Sequence, residues 1–237
     1  MIRTPPAPRA QAPGQGSTGS PIDTRLDVLV HRRLSRPLTR LALALGLSAN
    51  QVSLASLGVG LLAVWGFWHA TPWTALFGLV LYAVAVVLDH SDGEVARLTH
   101  SESRLGEWLD LTSDTVIHAL LVLAMGVTAQ ARAGRAGIGL GALAASGVVV
   151  SAIIAKTSPR STAGGVGGFL DALGNRDGFY AMLLLFILAL TFAPALLTAL
   201  MIVVAAGSHA YWLTRLGYRL MSGGAIAAPP RRPPPSP

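Results

Sequence analysis

Aspartates recur at two points of the chain with spacings that could support metal-dependent chemistry. Asp89 and Asp92 are three residues apart, and Asp110 and Asp114 are four apart. In a helix, each of these spacings places both carboxylates on one face. Clustered carboxylates repel one another unless cations lie between them. Because the ligands are oxygens and the chain has no cysteine, Mg²⁺ or Mn²⁺ suits such a cluster best.

Small residues and an arginine lie between the two aspartate pairs. Gly93, Ala96 and Gly106 would let helix backbones and a nucleotide approach closely. Arg97 offers a planar fork of donors for a phosphate group. Bridging carboxylates could hold two ions roughly 3.5–4 Å apart, which would clamp the entering and leaving oxygens of a phosphoryl displacement. The residue types therefore indicate phosphoryl-transfer chemistry at a two-metal centre.

The composition indicates where such a centre would lie. Of 237 residues, 52% are hydrophobic and 12% are charged, whereas soluble domains average about 25% charged residues. This composition excludes a disordered chain, a secreted disulfide scaffold and a cytosolic enzyme, and it indicates a protein that crosses a membrane several times. The net charge of +7 comes from basic residues that flank apolar segments, so it predicts contact with a membrane surface and not with nucleic acid.

The apolar segments predict an all-α integral membrane protein with six transmembrane helices. Several of these cores are shorter than the ~20 residues that a bilayer requires, so their helices must continue into polar sequence, notably at Asp89 and at Asp110–Asp114. Ser48 and Gln51 form a candidate capping box before the first core. Pro194 divides the last long uncharged stretch into two spans. The approximate cores are Val52–Trp68, Trp73–Leu88, Thr115–Ala131, Ile138–Ala155, Phe179–Phe192 and Ala195–Leu213.

The chain divides into four regions by composition. Residues 1–21 and the Pro/Arg-rich residues 221–237 are predicted to be disordered tails. Residues 22–45 interleave apolar residues with arginines, which predicts a juxtamembrane amphipathic helix, interrupted near Pro37, with its arginines toward anionic headgroups. A solvated basic linker is the alternative. Residues 46–220 form the predicted six-helix domain.

The distribution of basic residues predicts the orientation of the chain in the membrane. With both termini in the cytoplasm, sixteen of the eighteen lysines and arginines lie on the cytoplasmic side, leaving only Arg132 and Arg135 on the far side. The same side carries every acidic residue. The short connection between the second and third spans favours antiparallel packing of the two helices. The two carboxylate pairs are therefore expected to face each other at the cytoplasmic boundary of the inner membrane.

The spacing of these residues, D-x2-D-G-x2-A-R-x8-G-x3-D-x3-D, resembles the signature of the CDP-alcohol phosphotransferase (CDP-alcohol phosphatidyltransferase) family. The resemblance implies transfer of a phosphoryl-alcohol group from a CDP-alcohol, with CDP-diacylglycerol expected, to an acceptor hydroxyl with release of CMP. It also implies two divalent ions and a homodimer. All eight fixed positions are present: Asp89, Asp92, Gly93, Ala96, Arg97, Gly106, Asp110 and Asp114.

The resemblance also implies a role for each matching residue. Asp89, Asp92 and Asp110 would be metal ligands, and Asp114 would be both a ligand and the base toward the acceptor hydroxyl. The expected nucleotide-binding residues are Asp92, Gly93, Ala96, Arg97 and Gly106.

Three cations outside the motif have two interpretations. Lys156, Arg160 and Arg176 lie near the cytoplasmic ends of the fourth and fifth spans. They could anchor those spans, or they could bind the phosphate of an acceptor such as inositol phosphate or glycerol phosphate. His118, one turn after Asp114, could orient that aspartate or be a histidine satisfied within the bundle. A ligand role for His90 or Glu94, at variable motif positions, stays open.

Two other functions are compatible with parts of the pattern. A cation or proton transporter would use intramembrane carboxylates, but these aspartates cluster at one membrane edge and the chain shows no inverted repeat. A catalytically silent scaffold homologue would not need all eight motif positions. The transferase is therefore the favoured function.

Overall fold

The computed structural model describes residues 32–134, 136–157 and 176–221. Within these ranges the chain is helical apart from short connections, and the last two helices are joined by a 3-10 turn at Pro194–Leu196. The helices are α1 (Arg32–Ala44), α2 (Ala49–Trp68), α3 (Pro72–Leu98), α4 (Arg104–Ala133), α5 (Gly137–Thr157), α6 (Arg176–Phe192) and α7 (Leu197–Met221).

Most of these helices are long and apolar enough to cross a membrane. Five described segments meet that condition, and Gly178–Phe192 is a shorter apolar helix. The prediction of an all-α, multi-pass membrane protein is confirmed. The five segments are Ala49–Trp68, Pro72–Leu98, Arg104–Ala133, Gly137–Ala155 and Pro194–Gly217.

Helices α3 and α4 are longer than a bilayer requires, as their polar flanks predicted. Their 27 and 30 residues span about 40 and 45 Å at 1.5 Å per residue, whereas the hydrocarbon core is about 30 Å thick. The end of α3 carries Asp89 to Arg97, and the start of α4 carries Asp110 and Asp114. Both aspartate pairs therefore belong to helices continuous with the spans.

The predicted helix boundaries have identifiable local causes. Ser48 and Gln51 form the predicted capping box, in which the Gln51 side chain accepts from the Ser48 backbone at 2.8 Å. Ser103 caps α4, since its hydroxyl accepts a hydrogen bond of 3.0 Å from the Gly106 backbone. Pro194 begins the 3-10 turn that separates α6 from α7. The predicted division at this proline is confirmed.

The predicted direct packing of the second span against the third span differs from the observed packing. Helix α2 packs along both α3 and α4, α4 packs on α5, and α5 packs on α7. Among the described residues, α3 and α4 do not form the extended contact that their short connection suggested. Helix α2 contacts both of them instead, so α3 and α4 are joined mainly through α2.

Helix α1 confirms a helix after residue 31 but corrects the expected break at Pro37. The helix continues from Arg32 to Ala44 with Pro37 inside it. A proline removes one backbone donor, and contacts of α1 with α3 offset that loss: Ser35 and Thr39 are both buried there. Residues 22–31 of the predicted helix and both predicted disordered tails lie outside the described residues.

Candidate active site

Three aspartates from two helices converge at one point. Asp89 comes from the end of α3, and Asp110 and Asp114 come from the start of α4. One carboxylate oxygen from each lies within 4.8 Å of the others. Asp110 is exposed and the other two are partly buried. The predicted meeting of the two helix ends is therefore confirmed for these three side chains.

The geometry of the three carboxylates fits a hard divalent cation. Oxygens on opposite sides of an octahedral Mg²⁺ are about 4.2 Å apart, so small side-chain rotations would bring this group into range. The donor set contains only oxygens, which suits Mg²⁺ or Mn²⁺. Partial exposure leaves coordination positions for water or substrate oxygens. The group can therefore hold a divalent ion that also contacts a phosphate.

Asp92 lies next to this group but has a different environment. Its side chain is buried, with 7% of its surface exposed. The Ser53 hydroxyl of α2 donates a 2.5 Å hydrogen bond to its carboxylate. Burial of an ionised carboxylate is costly unless donors compensate it, so Ser53 stabilises Asp92 in place. The metal-ligand role of Asp92 stays a prediction.

Ser53 is a site residue that sequence reasoning did not single out. It lies on α2 and is 6% exposed. A signal was available, because the stretch Asn50-Gln51-Val52-Ser53 at the start of the first span is part of the resemblance to the CDP-alcohol phosphotransferase family. Its contact with Asp92 depends on the packing of α2 against α3, which the spacing of residues along the chain does not reveal.

A cleft of about 620 Å³ opens between α2, α3 and α4 beside the carboxylates. Asp89 and Asp110 belong both to the cleft wall and to the three-carboxylate group. The candidate metal position therefore adjoins the cleft. The other motif residues in its wall are Asp92, Gly93, Ala96, Arg97 and Gly106.

The two motif glycines leave space in the cleft that a side chain would occupy. A Cβ atom at Gly93 would lie 3.4 Å from Nη1 of Arg97. A Cβ atom at Gly106 would lie 3.6 Å from Oδ1 of Asn50 and 3.3 Å from the capping hydroxyl of Ser103. A larger side chain at either position would therefore reduce the space beside the guanidinium or beside the start of α4.

The predicted acceptor cations lie mostly beyond what the structure describes. Lys156 lies in the last turn of α5 and Arg176 begins α6, but the side chains of both lie outside the described part of the structure. Arg160 lies outside the described residues. A phosphate-binding role for these three residues stays a prediction.

The other polar residues near the motif have partners outside the carboxylate group. His118 Nε2 lies 2.8 Å from the Tyr82 hydroxyl, and the imidazole packs edge-on against Phe179. These contacts are compatible with a histidine satisfied within the bundle, and a role for His118 in orienting Asp114 stays a prediction. The Glu94 carboxylate faces α1, where it accepts hydrogen bonds from two hydroxyls. His90 Nδ1 lies 2.8 Å from the Val86 carbonyl oxygen.

Most of the chain matches a model of a known protein family. The family model described as CDP-alcohol phosphatidyltransferase matches residues 47–216, which include α2 to α6, all eight motif positions and most of α7. The match covers well over half of the chain. The chain belongs to the CDP-alcohol phosphatidyltransferase family.

A curated relative gives a narrower similarity. The CDP-diacylglycerol--serine O-phosphatidyltransferase of Mycobacterium leprae (strain TN) is 35% identical over 82 residues, which are 35% of this chain and 26% of the relative. The match therefore spans about a quarter of that relative's length.

Helix α1 precedes the region matched by the CDP-alcohol phosphatidyltransferase model, although it contacts the motif helix α3 directly.

Proposed function

We propose that this protein transfers the phosphoryl-alcohol group of a CDP-alcohol to the hydroxyl of an acceptor alcohol and releases CMP, as a step of phospholipid biosynthesis. The observation that carries the proposal is the convergence of Asp89, Asp110 and Asp114 beside a cleft lined by the rest of the motif. Family membership supports the same reaction class. The name of the curated relative supports CDP-diacylglycerol as the donor.

The proposed roles follow from where each side chain lies. Asp89, Asp110 and Asp114 would hold two divalent ions together with the neighbouring Asp92. When bound, such ions neutralise charge on the diphosphate and polarise the phosphorus. Arg97 is exposed in the cleft and can bind a phosphate oxygen. Gly93, Ala96 and Gly106 leave room for the nucleotide in the same cleft.

Asp114 is the proposed base. The acceptor oxygen forms a bond to the donor's phosphorus next to the alcohol group, the bond from that phosphorus to the oxygen shared with CMP breaks, and CMP leaves with that oxygen. The acceptor proton passes to the Asp114 carboxylate, which is partly buried at the start of α4. Most of the rate enhancement in such a transfer comes from positioning and charge neutralisation.

The proposed setting is the cytoplasmic face of the inner membrane. Sixteen of the eighteen basic residues are on one side when the six apolar helices cross in alternation. The carboxylate ends of α3 and α4 then lie at the cytoplasmic surface, where soluble acceptors and CMP exchange with the cleft. Both termini are proposed to be cytoplasmic, and the protein is proposed to act as a homodimer.

Two observations favour different acceptor alcohols. The cations Lys156, Arg160 and Arg176 favour a phosphorylated alcohol such as inositol phosphate or glycerol phosphate. The relative's name favours serine. A panel of inositol 1-phosphate, glycerol 3-phosphate, serine and inositol separates these classes, because only the first two acceptors carry a phosphate for the cations to bind.

The experiment measures CMP release by purified protein in detergent with CDP-diacylglycerol, each acceptor, and Mg²⁺ or Mn²⁺. Release is expected with at least one acceptor, is expected to stop with excess EDTA, and is expected to return when the metal is restored. Binding of the CDP-alcohol without CMP release from any acceptor would support the scaffold alternative. Proton flux in proteoliposomes without CMP release would support the transporter.

A further inference from the structure

The motif segment of α3 has two faces with different partners. The fixed motif residues line the cleft between α2, α3 and α4. The interleaved residues Ser91, Glu94 and Val95 are partly or fully buried on another side of the helix, and α1 packs against α3 there. Three of the four variable positions in this segment are therefore on the side where the preceding helix docks, whereas the fourth, His90, lines the cleft.

Glu94 makes the principal polar contacts of this docking. Its Oε2 accepts a 2.7 Å hydrogen bond from the Thr39 hydroxyl, and its Oε1 accepts a 3.1 Å bond from the Ser35 hydroxyl. Ser35 is 0% and Thr39 3% exposed. The Ser91 hydroxyl also lies 3.4 Å from the Ser35 carbonyl oxygen. Hydrogen bonds of buried hydroxyls to a carboxylate are stronger than neutral ones, so this contact is specific.

The side of α1 that docks is not its apolar side. Ser35, Thr39 and Ala42 follow helical spacing and are buried, whereas Leu34 and Leu41 are more than half exposed. The leucines therefore remain available to lipid. An apolar stripe could slide along α3, but two hydroxyls that share one carboxylate fix the register of the two helices.

We propose that Glu94 is a positioning residue for the reaction. By fixing α1 against the back of α3, it holds the turn that carries Asp92, Gly93 and Arg97 at its distance from α2 and α4. The proposal rests on the proposed function, and it assigns to α1, which lies outside the family match, a role in donor binding. Glu94 itself contacts hydroxyls of α1 and is proposed to act only through α3.

The first test is a steady-state comparison of Glu94→Ala with the double variant Ser35→Ala/Thr39→Val, which removes the donors from the other side. Each variant is expected to raise the KM for CDP-diacylglycerol about tenfold, with kcat and the acceptor KM within about twofold, because two charge-assisted hydrogen bonds are lost. Combining the three substitutions is expected to add little further effect. Glu94→Gln keeps one acceptor oxygen and is expected to remain within about threefold of wild type.

The second test measures the position of α1 without using activity. The chain has no cysteine, so nitroxide labels can be attached at Leu41→Cys on α1 and Val80→Cys on α3, both more than half exposed. Val80 lies about 20 Å along the axis from Glu94. The distance distribution by pulsed electron resonance is expected to broaden in Glu94→Ala and in the double variant.

The matched control is Thr191→Val, which removes a hydroxyl that donates to the Ile187 carbonyl of its own helix. It is expected to leave the donor KM and the label distance unchanged. The proposal is overturned if Glu94→Ala and the double variant keep the wild-type donor KM and a narrow distance distribution. It is also overturned if they lower only the amount of active protein. If wild-type protein releases no CMP, the proposed function fails, and the label distances alone decide whether Glu94 fixes α1.

Discussion

The two ends of the α2–α3–α4 bundle are built in opposite ways. At the carboxylate end, where Asp89 and Asp110 lie, α3 and α4 stand apart and a cleft of about 620 Å³ opens between them. At the other end, here called the closed end, backbones approach so closely that side chains do not fit. A Cβ atom at Gly66 would lie 2.6 Å from the Thr74 carbonyl oxygen. The same three helices are therefore open at one end and tightly joined at the other.

Polar contacts at the closed end reinforce its tight packing. The Thr128 hydroxyl of α4 donates to the Phe67 carbonyl of α2 at 2.5 Å. Arg132 Nε donates to the Ala70 carbonyl oxygen at 2.7 Å, in the turn between α2 and α3. Small residues and interhelical hydrogen bonds drive helix association in membranes, where the hydrophobic effect does not. The closed end can thus hold the helices together while the carboxylate end remains open for substrate.

Charge repulsion explains why the tight packing lies away from the carboxylates. Four carboxylates at one end of a bundle would push helices apart by charge repulsion, and each would be costly to bury. A bundle that relied on packing at that end would lose stability to gain the site. Substitutions at the carboxylate end should therefore change activity, and substitutions at the closed end should change stability.

The largest effect is expected for Asp114→Asn. The substitution removes the proposed base, so kcat for CMP release should fall about 10³-fold or more, while CDP-alcohol binding by equilibrium dialysis should change little because Asp89, Asp92 and Asp110 remain. Thr115→Val is the neighbouring control, since its hydroxyl donates to the Leu111 carbonyl of the same helix. Wild-type turnover in Asp114→Asn would falsify the assignment of the base.

A smaller effect at the same end is expected for Ser53→Ala. Asp92 would lose the hydroxyl that donates to its buried carboxylate, which should cost about 1–3 kcal/mol, equivalent to roughly 5- to 150-fold in kcat/KM for the donor. Ser53→Thr keeps the hydroxyl and should retain most of the activity. Ser146→Ala is the control, because that hydroxyl lies outside the cleft wall, where it donates to the Leu143 carbonyl of α5 and lies 3.5 Å from His209 Nε2 of α7. An unchanged donor KM in Ser53→Ala would show that Asp92 needs no such support.

The smallest effect on turnover is expected at the closed end, for Gly66→Ala. The new methyl group would meet the backbone of α3, and overpacking costs about 1–3 kcal/mol, from which up to about 1 kcal/mol of helix propensity is recovered. The melting temperature in detergent should fall, and kcat at saturating substrate should not. Gly58→Ala is the matched control on the same helix, since nothing lies within 4 Å of its added Cβ. Lower kcat with an unchanged melting temperature would contradict the division of roles.

Much of the fold was predictable because the signals are local. A membrane requires long apolar helices with internally satisfied backbones, so composition and charge gaps sufficed to place the spans. The capping box at Ser48 and the turn at Pro194 are also set by neighbouring residues. The continuity of α1 through Pro37 was not predictable, since it depends on contacts with α3.

The chemical groups of the site could be read from the amino-acid sequence alone. The eight motif residues at fixed spacing are the carboxylates, the small residues and the arginine of the site. Helical periodicity predicts that the two members of each aspartate pair share one face. How the pairs meet depends on helix packing: α2 lies along both helices, three carboxylates converge, and Asp92 bonds to Ser53. Helix packing also determines that Glu94 faces α1. The bonds of Asp92 to Ser53 and of Glu94 to Thr39 join residues 39 and 55 positions apart, and local spacing carries no information about which distant helix packs beside a given face.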